Sequence, residues 1–211
     1  MPITDPLFPV NLRLSGRRCL VVGGGRIALA KVRGLLAAGA IVRVVALEVD
    51  AELADLPGVE IERRPYLRGE LTNERFVVAA TDDPAVNRAV FEDGEACGVW
   101  VNAADDPEHC SATLAATVRR GPLVVTVSTG GHSPAMAVWV RRRLEAELGP
   151  ELGVLTELVA EVRAELRRRG LATESLAWQE AIDSGMLELV REGNLAEAKE
   201  RLQACLSSSS G

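Results

Sequence analysis

The fold is decided by the stretch Arg18-Cys19-Leu20-Val21-Val22-Gly23-Gly24-Gly25-Arg26-Ile27-Ala28. Its first half is apolar and predicts a short strand, which three glycines follow at once. Apolar residues then recur at helical spacing from Ile27 until Gly39 ends the segment. This order of strand, glycine turn and helix is the context in which Gly-x-Gly-x-x-Ala binds a dinucleotide pyrophosphate. A plain strand-to-helix turn is the alternative interpretation.

The residues of this turn have distinct expected roles. Gly23 permits the tight turn, Gly25 lets the backbone approach the pyrophosphate, and the small Ala28 lets the helix pack on the strand. Amide groups at the start of the helix then meet the phosphates. We therefore predict that Gly23, Gly24 and Gly25 bind the cofactor.

The acidic residue after the second predicted strand bears on the choice of cofactor. That strand covers residues 41–47, and Glu48 lies near the place, about 20 residues beyond the turn, where an acidic side chain bonds the ribose 2′-hydroxyl. Such a residue repels a 2′-phosphate and favours NAD over NADP. Arg26 and Arg43 would favour NADP. We predict NAD as the cofactor.

Further runs in the first half predict a parallel sheet. Strands are expected at residues 41–47, 59–62, 76–80 and 99–102. Asp82 or Asp83 is expected to cap a helix that runs from Pro84 or Ala85 to Cys97. Apolar strands that alternate with helices are typical of a sheet covered on both faces. The predicted fold class is α/β, with a Rossmann-like parallel sheet.

The pattern changes in the second half of the chain. Runs at 113–119 and 123–128 flank the turn Arg120-Gly121-Pro122 and predict a β-hairpin. Ser133-Pro134 opens a helix that extends to Gly149. Further helical segments are expected at 152–169, 175–193 and 195–206. A disordered tail is expected at 207–211. The predicted parts are an NAD-binding domain at 1–112, a hairpin segment at 113–149 and a helical region at 150–211.

Composition excludes several classes of protein. The 211 residues carry a net charge of −6, which disfavours a nucleic-acid binder because phosphate neutralisation needs a basic surface. Apolar runs fall far short of the roughly 20 residues of a membrane helix. The N-terminus lacks the pattern of an export signal, so we expect a cytoplasmic protein. Four widely spaced cysteines predict buried, reduced thiols and not a zinc or redox site.

Lysine is rare in this chain. Among the 24 basic residues only Lys31 and Lys199 are lysines, so 22 are arginines. Arg-rich codon usage explains this ratio most simply, although guanidinium groups also suit anionic ligands. Lys31 lies on the helix after the glycine turn, where a solvated helix face and a cofactor or structural contact are both open.

The loop after the fifth predicted strand carries two adjacent carboxylates. The sequence Asn102-Ala103-Ala104-Asp105-Asp106-Pro107 falls at the carboxyl edge of the sheet, where ligands of such folds bind. A carboxylate there can act as a general base. A self-capping loop ahead of Pro107 is the alternative. His109 and Cys110 follow without a recognised metal-ligand spacing, which predicts a surface histidine and a buried thiol.

A second candidate binding segment is Ser128-Thr129-Gly130-Gly131-His132-Ser133-Pro134. Its amides could hold an anionic group, and three consecutive arginines, Arg141 to Arg143, follow one to two turns later. A solvated helix face is the alternative interpretation of those arginines. No general base lies near enough in sequence to make Ser128 or Ser133 a nucleophile.

Several segments together resemble the precorrin-2 dehydrogenase and sirohydrochlorin ferrochelatase family, which includes the N-terminal half of siroheme synthases. They are Pro6 to Leu12, Cys19 to Ala28, Lys31 to Arg33, Ala79 to Asp83, Val101 to Pro107 and Gly121 to Pro134. The ordered combination of Thr-Asp-Asp, Asn-x-x-Asp and Ser-Thr-Gly-Gly-x-Ser-Pro is much more specific than the glycine turn alone. The resemblance covers roughly residues 6 to 170.

The resemblance implies an NAD-dependent oxidation of precorrin-2 to sirohydrochlorin. In bifunctional members it also implies insertion of ferrous iron, and it implies a homodimer whose interface lies at about residues 112–149. The implied catalytic residue is Asp105. The implied cofactor contacts are Arg26, Ile27, Leu47 and Glu48. We also predict a cofactor contact at Thr81 and substrate contacts at Asn102, Ser128, Gly130, Ser133 and Arg141. Thr129 stands where some relatives carry a regulated serine. An NAD-sensing module without catalysis and a chelatase alone are the alternatives.

Overall fold

The chain forms two compact units in its computed structural model, which describes residues 6–174 and 176–208. The first unit comprises the described residues up to Leu114 together with Thr129–Ser133. The second comprises Ala115–Ser128 and the described residues from Pro134 onward.

The first unit is built on a parallel sheet of five strands. They are β1 (Arg18–Val22), β2 (Ile41–Ala46), β3 (Val59–Arg63), β4 (Phe76–Ala79) and β5 (Trp100–Ala103). Their spatial order is β3-β2-β1-β4-β5, and all four pairings are parallel. The order reverses between β1 and β4, and ligands of such sheets bind at this switch point. The predicted fold class is confirmed.

Three α-helices connect these strands: α1 (Arg26–Ala37), α2 (Ala51–Ala54) and α3 (Pro84–Cys97). The predicted cap of α3 is present, because the Asp83 carboxylate accepts a hydrogen bond from the amide of Ala85 at 2.8 Å. A 3₁₀ helix at Pro107–His109 follows β5. Sequence periodicity could not find α2 or the 3₁₀ helix, since each spans about one turn. Within the described ranges, no helix is long and apolar enough to cross a membrane.

Alternate strand residues fill two separate cores, one on each face of the sheet. Cys19, Val21 and Val44 belong to the core that includes α1, whereas Leu20 and Val77 belong to the core that includes α3. Each of these side chains is almost fully buried. Burial of one such aliphatic side chain contributes about 1.5–3 kcal/mol, so the continuous apolar strands hold both layers to the sheet.

The second unit begins with an antiparallel hairpin of β6 (Ala116–Arg120) and β7 (Leu123–Val127), as predicted. The first strand starts at Ala116, three residues later than position 113. The preceding backbone is already engaged, because the carbonyl of Ala112 accepts a hydrogen bond from the Asn102 amide at 3.0 Å. The helix α4 (Pro134–Glu147) follows.

The rest of the second unit is a helical cluster. It contains α5 (Glu151–Arg168), α6 (Trp178–Asp183), α7 (Met186–Arg191) and α8 (Leu195–Ser208). The prediction of one helical segment over 175–193 is wrong, because Gly185 adopts a left-handed φ of 90° and separates α6 from α7. The predicted disordered tail is wrong for Ser207 and Ser208, which continue α8. Ser175 and residues 209–211 lie outside the described residues.

The four cysteines differ in exposure, and no disulfide bond joins any of these described residues. Cys19 is buried as predicted, and burial raises its pKa to about 11. Cys110 and Cys205 are half-buried. The prediction is wrong for Cys97, which lies exposed in the last turn of α3.

Candidate functional site

Two glycines of the turn fit the end of β1 against its neighbouring strands. Gly23 has a φ of 117°, and a Cβ atom there would lie 2.2 Å from the carbonyl oxygen of Ala80. A Cβ atom on Gly24 would lie 2.1 Å from the carbonyl oxygen of Glu48. Any side chain would therefore force the backbone apart at both positions. The turn is thus fixed to the loops after β4 and β2.

The third glycine faces open space. A Cβ atom on Gly25 would meet nothing within 4 Å, although its φ of −83° is ordinary. Gly25 caps α1 without a side-chain hydrogen bond, and the first turn of α1 carries no acidic residue. Arg26 and Ile27 are exposed beside it, while Ala28 is fully buried. Free helix amides, open space and the missing negative charge fit a pyrophosphate.

The residues after β2 fit the adenosine side of a dinucleotide. Leu47 and Glu48 are exposed directly after the strand, and the Glu48 carbonyl packs on Gly24. Arg43, by contrast, is paired with glutamates and does not contribute a free guanidinium to the adenosine side. Its guanidinium lies within 3.2 Å of carboxylate oxygens of Glu62 and Glu70 and within 3.0 Å of Glu74. Arg43 is therefore removed as a candidate for a 2′-phosphate.

Thr81 anchors the loop after β4 to α3. Its hydroxyl oxygen lies 2.8 Å from Asn87 Oδ1, and the Asn87 amide donates to the Thr81 carbonyl at 3.0 Å. The amide of Asp83 also donates to the Thr81 hydroxyl. The side chain of Thr81 thus positions this loop beside the glycine turn, and its contact with a cofactor stays a prediction.

The loop after β5 holds Asp105 in a special conformation. Asp105 has a φ of 59° and is the one non-glycine residue with positive φ among the described residues. Aspartate tolerates this left-handed region better than most residues, because its short side chain is polar. The side chain is exposed and forms no hydrogen bond or ion pair within the described ranges. Its carboxylate is therefore available to a ligand.

Asp105 borders a cavity of about 330 Å³ at the carboxyl edge of the sheet. The lining residues are Ile27, Lys31, Asn102, Ala103, Ala104, Asp105 and Leu114. Lys31 and Leu114 were not among the predicted site residues. The signal for Lys31 was its spacing of four from Ile27, which places both on one face of α1. Leu114 had no comparable signal, because it lies in an irregular segment.

Asn102 lines this cavity, and its side chain holds the backbone that follows β5 in place. It is 7% exposed, and its side-chain amide donates to the carbonyl of Ala112 at 3.0 Å. Cys110 lies next to it, with its sulfur 3.1 Å from both the amide nitrogen and the carbonyl oxygen of Ala103. Burial raises the pKa of Cys110, so this thiol stays protonated and fastens the loop.

The second aspartate, Asp106, contacts a histidine through one carboxylate oxygen. Its carboxylate lies 2.6 Å from Nδ1 of His109, and Arg88 donates to Nε2 of the same ring at 3.2 Å. Phe91 packs edge-on against His109 with ring centroids 5.5 Å apart. The two neighbouring carboxylates thus differ: Asp106 contacts His109, whereas Asp105 has no partner among the described residues. His109 and Cys110 are both half-buried, and no group of three potential metal-binding side chains occurs in the described chain.

The segment Thr129–Ser133 forms a compact loop in the first unit. The Thr129 hydroxyl accepts a hydrogen bond from the Ser133 amide at 3.1 Å, and Gly130 has a φ of 59°. Ser128 and Arg141 belong to the second unit. Arg141 lies on α4 and pairs with Glu145 at 2.6 Å, as expected for an i, i+4 pair. The roles predicted for these residues in substrate binding stay predictions.

The strand order and the glycine turn define the first unit as a Rossmann-type dinucleotide-binding domain. A family model described as "Putative NAD(P)-binding" matches residues 10–116, and one described as "Sirohaem biosynthesis protein central" matches residues 120–147. The chain therefore belongs to the family of NAD(P)-binding siroheme-biosynthesis proteins, and the resemblance seen in the sequence is confirmed.

Individual relatives support the same assignment. The siroheme synthases of Azotobacter vinelandii (strain DJ) and Pseudomonas putida (strain W619) are 38% and 41% identical over 205 and 208 residues. These alignments cover 95% and 93% of this chain, which spans 44% of the length of both relatives. The solved structure of SirC, a precorrin-2 dehydrogenase, matches with a TM-score of 0.72 and 26% identity. That match covers 94% of this chain and 100% of SirC.

Proposed function

We propose that this protein oxidises precorrin-2 to sirohydrochlorin with NAD as the electron acceptor, a step in siroheme biosynthesis. The similarity to SirC over its whole length and to siroheme synthases over 44% of theirs supports the reaction. The observation that carries the proposal is the carboxylate of Asp105, which has no partner in the described part of the chain and borders a cavity at the carboxyl edge of an NAD(P)-binding sheet.

The chemistry needs one acceptor for a hydride and one for a proton. The oxidation removes a hydride and a proton from the tetrapyrrole, and NAD takes the hydride when it is bound. Asp105 is the proposed base that takes the proton, or it orients the macrocycle for that loss. Because its carboxylate has no partner among residues 6–174 and 176–208, it can contact the substrate without first breaking an ion pair there. Asp106 is less suited to this role, since one of its carboxylate oxygens already contacts His109.

The cofactor site in this proposal follows the turn and the strand ends. Gly23 and Gly24 shape the turn, and Gly25 leaves room for the pyrophosphate beside the amides of Arg26 and Ile27. Leu47 and Glu48 hold the adenosine ribose, and the Glu48 carboxylate disfavours a 2′-phosphate. The engagement of Arg43 with three glutamates supports NAD over NADP.

The substrate contacts, assembly and location in this proposal are those expected from the sequence. Asn102, Ser128, Gly130, Ser133 and Arg141 are the proposed tetrapyrrole contacts. We also propose a homodimer whose interface is formed by residues 113–149. The proposed domains on either side of this segment in sequence are an NAD-binding domain at 1–112 and a helical domain at 150–211. The proposed location is the cytoplasm. Sedimentation of the purified protein and cell fractionation test assembly and location.

Iron insertion is a separate prediction. Siroheme synthases are the curated relatives, and ferrous iron would be a substrate here. Adding ferrous or cobaltous ion to sirohydrochlorin with the purified protein tests it, with metal insertion followed from the absorption spectrum of the macrocycle. The control is the same mixture without protein.

The dehydrogenase assay combines purified protein, precorrin-2 and NAD. We expect NADH and sirohydrochlorin to form in equal amounts, and neither to form when one reactant is omitted. NAD binding without NADH formation would instead support an NAD-sensing module. Metal insertion without NADH formation would support a chelatase.

A further inference from the structure

Lys31 is an unpaired cation beside Asp105. It lines the same cavity of about 330 Å³, one helical turn beyond Ile27. Lys31 forms no hydrogen bond or ion pair within the described residues. Arg33 on the same helix, by contrast, pairs with Glu52, and Lys199, the other lysine of the chain, pairs with Glu161 within the second unit. The cavity therefore presents one free ammonium group and one free carboxylate.

The ammonium of Lys31 acts on the β5 loop from across this cavity. Burial and the charge of Asp106 raise the pKa of the Cys110 thiol, while hydrogen bonding to Ala103 and the charge of Lys31 lower it. The positive field of Lys31 thus reaches the loop that holds Asp105. A negative ligand that approached Asp105 without this cation would meet only repulsion from the aspartate.

The choice of lysine also has a physical meaning in a chain with 22 arginines. A guanidinium is a broad planar fork, whereas an ammonium is a compact group that concentrates its charge at one point. In a small cavity the compact group leaves more room for a ligand. It can also turn its three N–H donors towards a ligand oxygen.

We propose that Lys31 is a substrate-binding residue whose ammonium pairs with a carboxylate of the tetrapyrrole and holds the macrocycle against Asp105. This inference rests on the proposed function, because it takes an acidic tetrapyrrole as the ligand. Lys31 offsets the repulsion between Asp105 and the substrate carboxylate. The pairing is made in the bound substrate before reaction, so it acts on substrate affinity more than on turnover.

The test compares Lys31→Met and Lys31→Arg with Arg33→Met, a matched control that removes a positive charge from the same helix outside the cavity. We expect Lys31→Met to raise the KM for precorrin-2 about 10- to 100-fold, the loss of one charge-assisted hydrogen bond. The kcat and the KM for NAD should change less than about threefold. Lys31→Arg should recover part of the affinity, and Arg33→Met should resemble the parent protein.

Three results would overturn the inference. An unchanged KM for precorrin-2 in Lys31→Met removes Lys31 from substrate binding. An increase confined to the KM for NAD assigns Lys31 to the cofactor. A fall confined to kcat assigns it to proton transfer. Thermal unfolding of each variant shows whether it is folded, and Lys31→Gln, which also removes the charge, replaces Lys31→Met if the latter is not.

Direct binding separates this inference from the proposed function. If the parent protein forms no NADH, the proposed dehydrogenase fails, and sirohydrochlorin binding is measured by quenching of tryptophan fluorescence. Tight binding to the parent and about 10-fold weaker binding to Lys31→Met would still support the role of Lys31. Equal binding by the two proteins, or no binding by the parent, would overturn it.

Discussion

Charged groups are used in opposite ways at two places on the same sheet. Beside β2 and β3, Arg43 lies among three glutamates and is only 13% exposed, and Glu74 is 3% exposed. At the carboxyl edge, Lys31 and Asp105 line a cavity and have no partner among the described residues. The paired charges stabilise the fold, and the charges without a partner among the described residues are the ones that we propose contact a ligand.

The paired cluster is nearly complete in its hydrogen bonding. Arg43 and Arg64 bridge Glu62 and Glu70, and Arg43 also holds Glu74. Burial opposes ionisation of Glu74, but the Asn73 amide and Arg43 outweigh this effect and lower its pKa. Removing one member would leave buried charge uncompensated, which costs far more than losing an exposed ion pair.

The largest expected effect is on catalysis by Asp105. We expect Asp105→Asn to lower kcat about 100- to 10 000-fold, because a general base is lost. Asparagine also tolerates the left-handed backbone, so the free energy of unfolding should stay within about 0.5 kcal/mol of the parent value. Steady-state kinetics and urea unfolding measure both. Asp106→Asn is the matched control and should change kcat only a few-fold, and equal losses in both variants would contradict the distinction.

The next largest effect is on stability. We expect Arg43→Met to lower the free energy of unfolding by about 3 kcal/mol, near the lower end for breaking a buried ion pair, because Arg43 retains some solvent contact. Urea unfolding measures the change. Arg33→Met, which breaks an exposed pair with Glu52, is the control and should cost under about 1 kcal/mol. A similar cost in both variants would show that burial of the cluster is unimportant.

Gly24 and Gly25 offer a comparison of the same kind, between a position that supports the fold and a position proposed to contact the cofactor, and no charged group is involved. We expect Gly24→Ala to cost about 2 kcal/mol of stability, because its Cβ atom would collide with the Glu48 carbonyl. Gly25→Ala should leave stability unchanged but weaken NAD binding about tenfold, since its Cβ atom enters the space open to the pyrophosphate. Unfolding and NAD titration measure these effects. Normal NAD affinity in Gly25→Ala would place the cofactor elsewhere.

The smallest effect is the pH dependence of the paired cluster. The pKa values of Glu62, Glu70 and Glu74 lie below the ordinary 4.5. Their contribution to stability is therefore complete above about pH 4.5 and is lost as the pH falls through the lowered values. We expect the deficit of Arg43→Met, measured by urea unfolding, to stay constant above about pH 4.5 and to shrink as the pH falls below it. A deficit that grows on acidification would contradict this sign.

Sequence reasoning found the sheet and turn because both depend on local pattern. The strand from Arg18 to Val22, the glycines after it and the Asp83 cap are each defined by neighbours in sequence. The cavity depends on tertiary contacts instead. Nothing local shows that Lys31 and Asp105 line one cavity, or that Arg43 is paired with glutamates 19 to 31 residues away. The break at Gly185 was missed because the flanking residues keep helical spacing.

The left-handed backbone at Asp105 limits how the proposed site can be redesigned. Most residues lose about 1–2 kcal/mol in that conformation, and only glycine, asparagine and aspartate adopt it readily. A glutamate at this position, whose side chain is longer by one methylene, would destabilise the loop by about this amount whether or not a ligand is bound. An engineer who wants a longer acid at this position must therefore rebuild the loop over residues 104–107 together with the side chain.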